Sequence, residues 1–319
     1  MKHIVEKIST PMTGLDAAVW KNRLIALVKE LGEYRALGNR HFATFVRQSD
    51  MLLVTFETVQ GIRSPSEPAQ PFGFEMVRAR GWSHLGLISN GDTWFRDPAV
   101  YEYFDHLIDT GLLEEFERVV FYGAGPCGYA AAAFSVAAPG ATVVAVQPQA
   151  TLDPRMTEWD TRFTELRRMN FTDRFGYAPD MMDAAARGFA IYDPPQDLDA
   201  MHAALFARPN VTRLRMPFMG SALQTQLIEM NLLYRILSLA GMNGLDEPTF
   251  NKLYRARRQN QSYLRALLGH LDKEDRPLLA AILCRNVTSR LNAPKFRSRL
   301  DALERAAAEG PFTLPPLRT

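Results

Sequence analysis

The sequence predicts an α/β fold, a mostly parallel sheet with helices on both faces, carrying an all-helical module at its carboxyl end. Three observations predict it. Short β-branched runs alternate with helical patterns as far as about residue 220. One of those runs, Val119 to Tyr122, enters a glycine-rich turn, Gly123-Ala124-Gly125-Pro126-Cys127-Gly128, which opens into an alanine-rich helix. A parallel sheet puts such a turn at the carboxyl end of a strand, where ligands bind in open α/β folds. Beyond Gly220 no strand pattern remains. The expected division is therefore an α/β domain over 1–220 and a helical module over 221–319.

Apolar spacing at Leu15, Val19, Leu24, Leu27, Val28 and Leu31 predicts one amphipathic helix over 14–37. His41 to Arg47 and Met51 to Phe56 are β-rich runs around Gln48-Ser49-Asp50, and predict a hairpin. Glu57 to Arg80 reads as a long polar connection, with Ser64-Pro65-Ser66-Glu67-Pro68 as its loop signal. Strands follow at 85–89, 119–122, 142–147, 189–193 and 211–216, with helices over about 99–113 and 198–206. Residues 151–187 form an irregular, charged insertion. In the tail, helices are expected over 222–240, 249–259, 262–271, 276–283 and 294–308, punctuated by Pro248, Pro277 and Pro294.

Composition narrows the function classes. Among 319 residues, 47% are apolar, which is ample for a core, and the net charge of +2 selects no partner. The charge is uneven: Gly241 to Thr319 holds 14 Lys+Arg against 8 Asp+Glu. Arg255, Arg257, Arg258, Arg265, Arg297 and Arg299 make that module basic, as a solvated face or as a surface for an acidic protein partner. Aromatic interleaving is sparse, so nucleic acid is not the expected partner. Two cysteines, Cys127 and Cys284, form no framework. With no apolar leader or membrane-length run, a cytoplasmic, non-membrane protein is expected. None of the six histidines pairs with another at metal-ligand spacing, so no metal site is expected. His41 and His84, beside strands, could reach the cleft, as could Trp94, Arg96 and Asp97 past a strand end.

The central turn supports two readings. Gly123, Gly125 and Gly128 satisfy Gly-x-Gly-x-x-Gly, the phosphate cradle of FAD- and NAD-binding folds. Against that, the next strand ends at Gln147-Pro148 without the acidic residue that holds a ribose, and at least three strands precede the turn.

The same stretch resembles a subgroup of the α/β-hydrolase superfamily, whose elbow reads Phe-Tyr-Gly-x-Ser-Met-Gly-Gly-Tyr and whose next strand ends in Ser-Pro-Gln. Phe121-Tyr122-Gly123, Gly128-Tyr129 and Pro148-Gln149 carry the likeness. Tyr192-Asp193-Pro194, with Asp199 and His202, resembles the subgroup's acid-bearing strand and loop. The likeness covers roughly residues 50–230 and implies an α/β-hydrolase-like sheet. At the position of the nucleophile stands Gly125, and Ser221 stands where the base histidine is expected. The resemblance therefore implies a degenerate triad and a non-catalytic, ligand- or partner-binding protein without a cofactor. The candidates for residual chemistry are Asp193, Asp199, His202 and Cys127, whose thiol at a helix amino terminus could serve a hydrolase or acyltransferase. Similar sequences are sometimes called phosphoadenosine phosphosulfate reductase. Neither the Ser-Gly-Gly-x-Asp-Ser loop nor the Glu-Cys-Gly-Leu-His tail of that family is present.

Overall fold

Helix α1 (Lys2–Ile8) precedes α2 (Ala17–Leu31), which Asp16 caps by accepting the N–H groups of Ala18 and Val19 at 3.0 and 2.9 Å. The computed structural model to which these elements belong describes residues 2–64, 68–310 and 312–314. Most of the turn expected at 64–68 lies outside the described residues. The helix expected over 14–37 ends at Leu31, because Gly32 crosses against the next strand: a Cβ there would lie 2.0 Å from the Phe45 carbonyl oxygen. The chain then extends as β1 (Glu33–Leu37), antiparallel to β2 (His41–Val46).

The expected hairpin between residues 41–47 and 51–56 does not form. β3 (Met51–Thr58) is separated from β2 by a strand inserted between them. Ser83 holds that gap open: its hydroxyl accepts the N–H groups of Gln48 and Ser49 at 2.9 and 3.0 Å and donates to the Ser49 carbonyl at 2.6 Å. The polar connection after β3 contains two helices, α3 (Val59–Arg63) and α4 (Gly73–Arg80), before Ser83 begins β4 (Ser83–Ser89). Next come α5 (Pro98–Asp109), β5 (Arg118–Ala124), α6 (Pro126–Phe134) and β6 (Thr142–Val146). The insertion holds only short pieces, α7 (Pro154–Thr157) and α8 (Ala178–Met181) with 3-10 turns. β7 (Arg187–Tyr192), α9 (Asp197–Leu205) and β8 (Val211–Arg215) complete the sheet.

The strand order is β1-β2-β4-β3-β5-β6-β7-β8, parallel from β4 to β8 and antiparallel at β1 and β2. This is an α/β-hydrolase fold. Alternation along β3 divides the core. Leu52, Val54 and Phe56 face α5 and α6, where Phe104, Phe134 and Phe175 stack at 4.5 and 4.6 Å between centroids. Ala130 to Ala133 let α6 lie close to the strands. A second core gathers Trp20, Leu24, Phe42, Phe74 and Ile88.

The chain divides into two compact units, Met1–Asn251 and Lys252–Thr319. The break falls inside α12 (Glu247–Tyr254), not at residue 220. The helix expected over 222–240 is two helices, α10 (Leu223–Glu229) and α11 (Leu233–Gly241). Leu223, Leu227, Ile236 and Leu237 are fully buried there, and α11 packs on β5 and β6, so the apolar faces of these helices tie them to the sheet. The second unit is α13 (Gln261–Lys273), α14 (Pro277–Thr288) and α15 (Pro294–Ala308) around Leu264, Cys284, Val287, Phe296 and Leu303. Among the described residues no helix is long and apolar enough to cross a membrane.

Candidate functional site

The elbow begins where β5 runs out. Gly123 must be glycine, since an added Cβ would meet the Cys127 carbonyl oxygen at 2.0 Å. Gly125 takes φ 56° and ψ −126°, a left-handed turn that side chains rarely adopt. Its N–H donates to Val146 at 2.8 Å and its carbonyl accepts from Tyr129 at 3.0 Å, so both flanking elements fix the apex. A Cβ at Gly125 would meet nothing within 4 Å. The strand–turn–helix backbone has open space at its apex and no side chain to fill it. Gly128 lies against the Val146 carbonyl, 3.1 Å from where its Cβ would be. The three glycines are thus accounted for by turning and by close helix–strand packing.

In a hydrolase elbow the residue after the nucleophile lends its N–H to the oxyanion hole. Here Gly125 is followed by Pro126, at the start of α6, which has no N–H. Asp193, at the end of β7, is fully buried. Its carboxylate accepts the N–H groups of Phe218 at 3.0 Å and Gly220 at 2.7 Å. Burial raises its pKa, and these backbone donors oppose the rise. The carboxylate holds the loop that leads to Ser221 through the backbone of that loop.

Asp199 and His202, both on α9, belong to a separate network. His202 Nε2 lies 2.9 Å from Asp160 Oδ2, and its Nδ1 accepts the Ala150 N–H at 3.1 Å. The ring is therefore the Nε2–H tautomer with both nitrogens engaged. Arg162 grips Asp160 at 2.8 Å and Asp199 at 2.6 Å, and Gln147 donates to Asp199 at 2.6 Å. Burial would raise the Asp160 pKa, but the hydrogen bonds from His202 and Arg162 outweigh it and hold the carboxylate well below the usual range. This network ties the insertion to α9. It leaves neither Asp199 nor His202 free to serve the elbow.

Cys127 is buried, and burial followed by the nearby Glu57 and Asp92 pushes its thiol far up, against the direction expected from the helix terminus. His41 lies 2.7 Å from Thr93 Oγ1, and burial lowers its pKa. Trp94 packs against Phe163 at 5.0 Å, and Arg96 binds Asp173, Tyr129 and the carbonyls of Asn170 and Arg174. His84 is fully buried, 2.9 Å from Thr55, and pushed down to about 3 by burial. Among the described residues no group of three or more His, Cys, Asp or Glu side chains could hold a metal.

Sequence reasoning missed Glu57, placed in a polar connection. It ends β3 on the same face as Thr55 and Tyr122, and burial pushes its carboxyl up to about 7. The one signal was its position two residues beyond the buried Thr55 in the alternation of β3.

No family model and no curated protein matches the chain. Among solved structures it is similar to the Glycosylation Associate Protein (Gap123) complex from Streptococcus agalactiae, at 11% identity over 66% of this chain with a TM-score of 0.46. It spans about half of that protein's length, 47%. It is also similar to an esterase of Pyrobaculum calidifontis, at 12% identity over 77% of this chain and 99% of that one, TM-score 0.41. EstE1, a thermostable carboxylesterase cloned from a metagenomic library, matches at 12% identity over 76% and 98% of the two chains, TM-score 0.42.

Proposed function

We propose that this chain is a non-catalytic α/β-hydrolase-fold protein that acts by binding. The observation that carries the reading is the pair at the elbow apex. Gly125 keeps the strained turn of a nucleophile but offers no nucleophile, and Pro126 offers no oxyanion donor. Attack on an ester needs a nucleophilic oxygen or thiolate, a base within reach and a donor for the developing oxyanion. None of the three is supplied here: Ser221 holds the base position, His202 is engaged with Asp160, and Cys127 is held as the thiol. The dinucleotide reading has less support, because Gly123 and Gly128 serve the packing of α6 on its strands.

The test is reactivity of the purified chain toward a fluorophosphonate probe and short acyl esters. Neither labelling nor turnover above the buffer rate is expected, and Gly125→Ser alone is expected to stay unreactive. Labelling of the unaltered protein that survives Cys127→Ser would overturn the reading.

The second unit supplies a surface for an acidic protein. Arg255, Arg258, Arg265 and Arg297 are exposed and make no ion pair among the described residues, whereas Arg299 is paired with Asp272 at 2.8 Å. Binding of a poly-glutamate peptide that weakens with salt, and weakens further on replacing those four arginines by glutamine, is the expected result.

A further inference from the structure

Beside α4, at the carboxyl end of β3, a cavity of about 180 Å³ opens between Glu57, Gln70, Phe72, Arg78 and Gln224. It is smaller than the roughly 300–1,000 Å³ of pockets that take drug-sized ligands. Glu57 is half-buried and lines this cavity. Its carboxylate accepts the Phe72 N–H at 2.9 Å and the Thr55 hydroxyl at 2.8 Å. Because Thr55 gives its proton to Glu57, His84 Nε2 must be the donor across the 2.9 Å to Thr55 Oγ1. Each Glu57 oxygen retains a lone pair for a further donor.

Behind the cavity wall the Tyr122 hydroxyl is fully buried, with Glu57, Gln224 and Cys127 as its polar neighbours. The lining is also short of free positive charge. Glu57 and Glu75 face one cation, Arg78, whose guanidinium already donates to the Ile8 carbonyl and to Gln70 Oε1, both at 2.7 Å. Gln70 in turn donates to Thr10 at 2.7 Å. Phe72, Ile62 and Ile228 supply an apolar wall.

We propose that this cavity binds a small organic cation, an amine or an amidinium, which donates to Glu57 and lays its apolar part against Phe72 and Ile228. Residues 123–128 are not among its lining, and the proposal stands whether or not the elbow is silent. The groups around Glu57 leave it as the one that titrates near neutrality. Burial keeps His84 neutral and Cys127 and Tyr122 protonated, while Glu75 and Arg78 of α4 face each other. A proton and the cation therefore compete for the Glu57 carboxylate, which burial pushes up to about 7.

The experiment is calorimetric titration of the full chain with n-butylammonium and benzamidinium, beside the neutral isosteres 1-butanol and benzamide. The expected result at about pH 8 is binding of at least one cation, with its neutral isostere about tenfold weaker or worse, and an affinity that drops about tenfold by about pH 6. Glu57→Gln is expected to abolish the preference for the cation. Equal affinity for cation and isostere, no binding of either cation, or cation binding that Glu57→Gln leaves intact would each overturn the proposal. The isostere comparison and the pH series use the unaltered protein and so do not depend on the variant folding.

Discussion

The Asp193 carboxylate accepts the backbone N–H of Gly220 at 2.7 Å, one residue before Ser221, where the hydrolase resemblance places a histidine. The carboxylate fastens the loop between β8 and α10 through that loop's own backbone. Asp193→Ala leaves the half-buried N–H groups of Phe218 and Gly220 without their carboxylate, and is expected to lower stability by about 1–3 kcal/mol. Chemical denaturation checks it. A change below about 0.5 kcal/mol would show that the loop is held by other contacts.

The apex and the flank of the turn are expected to respond very unequally to a side chain. At Gly125 a side chain has open space and meets only backbone strain, so Gly125→Ser is expected to fold with a loss of about 1–3 kcal/mol. At Gly123 a Cβ would lie 2.0 Å from the Cys127 carbonyl, a backbone atom fixed by α6, so Gly123→Ala is expected to abolish folding or nearly so. Melting temperatures of the two variants decide it. The reverse order would place the strained residue elsewhere.

The parts of the fold that were legible are those where local pattern and packing agree. The run from Val119 into Gly123, the alanines of α6 and the buried strands at 142–146 and 187–192 announce a parallel sheet by composition alone. Glu33 to Leu37 falls inside the helix that the apolar spacing from Leu15 to Leu31 predicts. What turns it into a strand is the close contact of Gly32 with Phe45, which no local pattern carries. The pairing of β2 with β4 was hidden in the same way, since it rests on the Ser83 hydroxyl reaching Gln48 and Ser49. At the site, the sharp turn at Gly125 was legible from its glycines. Glu57 was not, because its enclosure comes from Phe72 and Gln224, remote in sequence.

The Asp160–His202 pair makes a prediction about acid stability. Asp160 is held below its ordinary value of 3.8 in the folded chain, so its contribution is fully present above that pH and is lost as the pH falls below it. His202→Ala removes the Nε2 donor 2.9 Å away and leaves a buried carboxylate on Arg162 alone. A loss of about 1.5–3 kcal/mol at neutral pH is expected, shrinking as the solution is taken below about pH 4. Urea unfolding at neutral pH and at about pH 3 measures both terms. A pH-independent loss would mean that His202 contributes through packing against Trp159, 4.6 Å away between centroids, and not through its hydrogen bond.

Glu57 runs the other way. Its folded-state value, about 7 against an ordinary 4.5, means that the folded chain binds the proton more tightly than the unfolded chain. Stability is therefore unaffected by this group below about pH 4.5, falls as the pH rises from there to about 7, and stays at the lower level above it. The full effect is at most about 3 kcal/mol, at roughly 1.4 kcal/mol per pH unit of displacement. Glu57→Gln keeps the shape of the side chain and cannot ionise, so its stability relative to the unaltered protein is expected to climb by that amount between about pH 4.5 and 8. Denaturation curves of both proteins at a series of pH values decide the point. Parallel curves would mean that Glu57 stays ionised in the fold, with a stronger partner than the Phe72 N–H and the Thr55 hydroxyl.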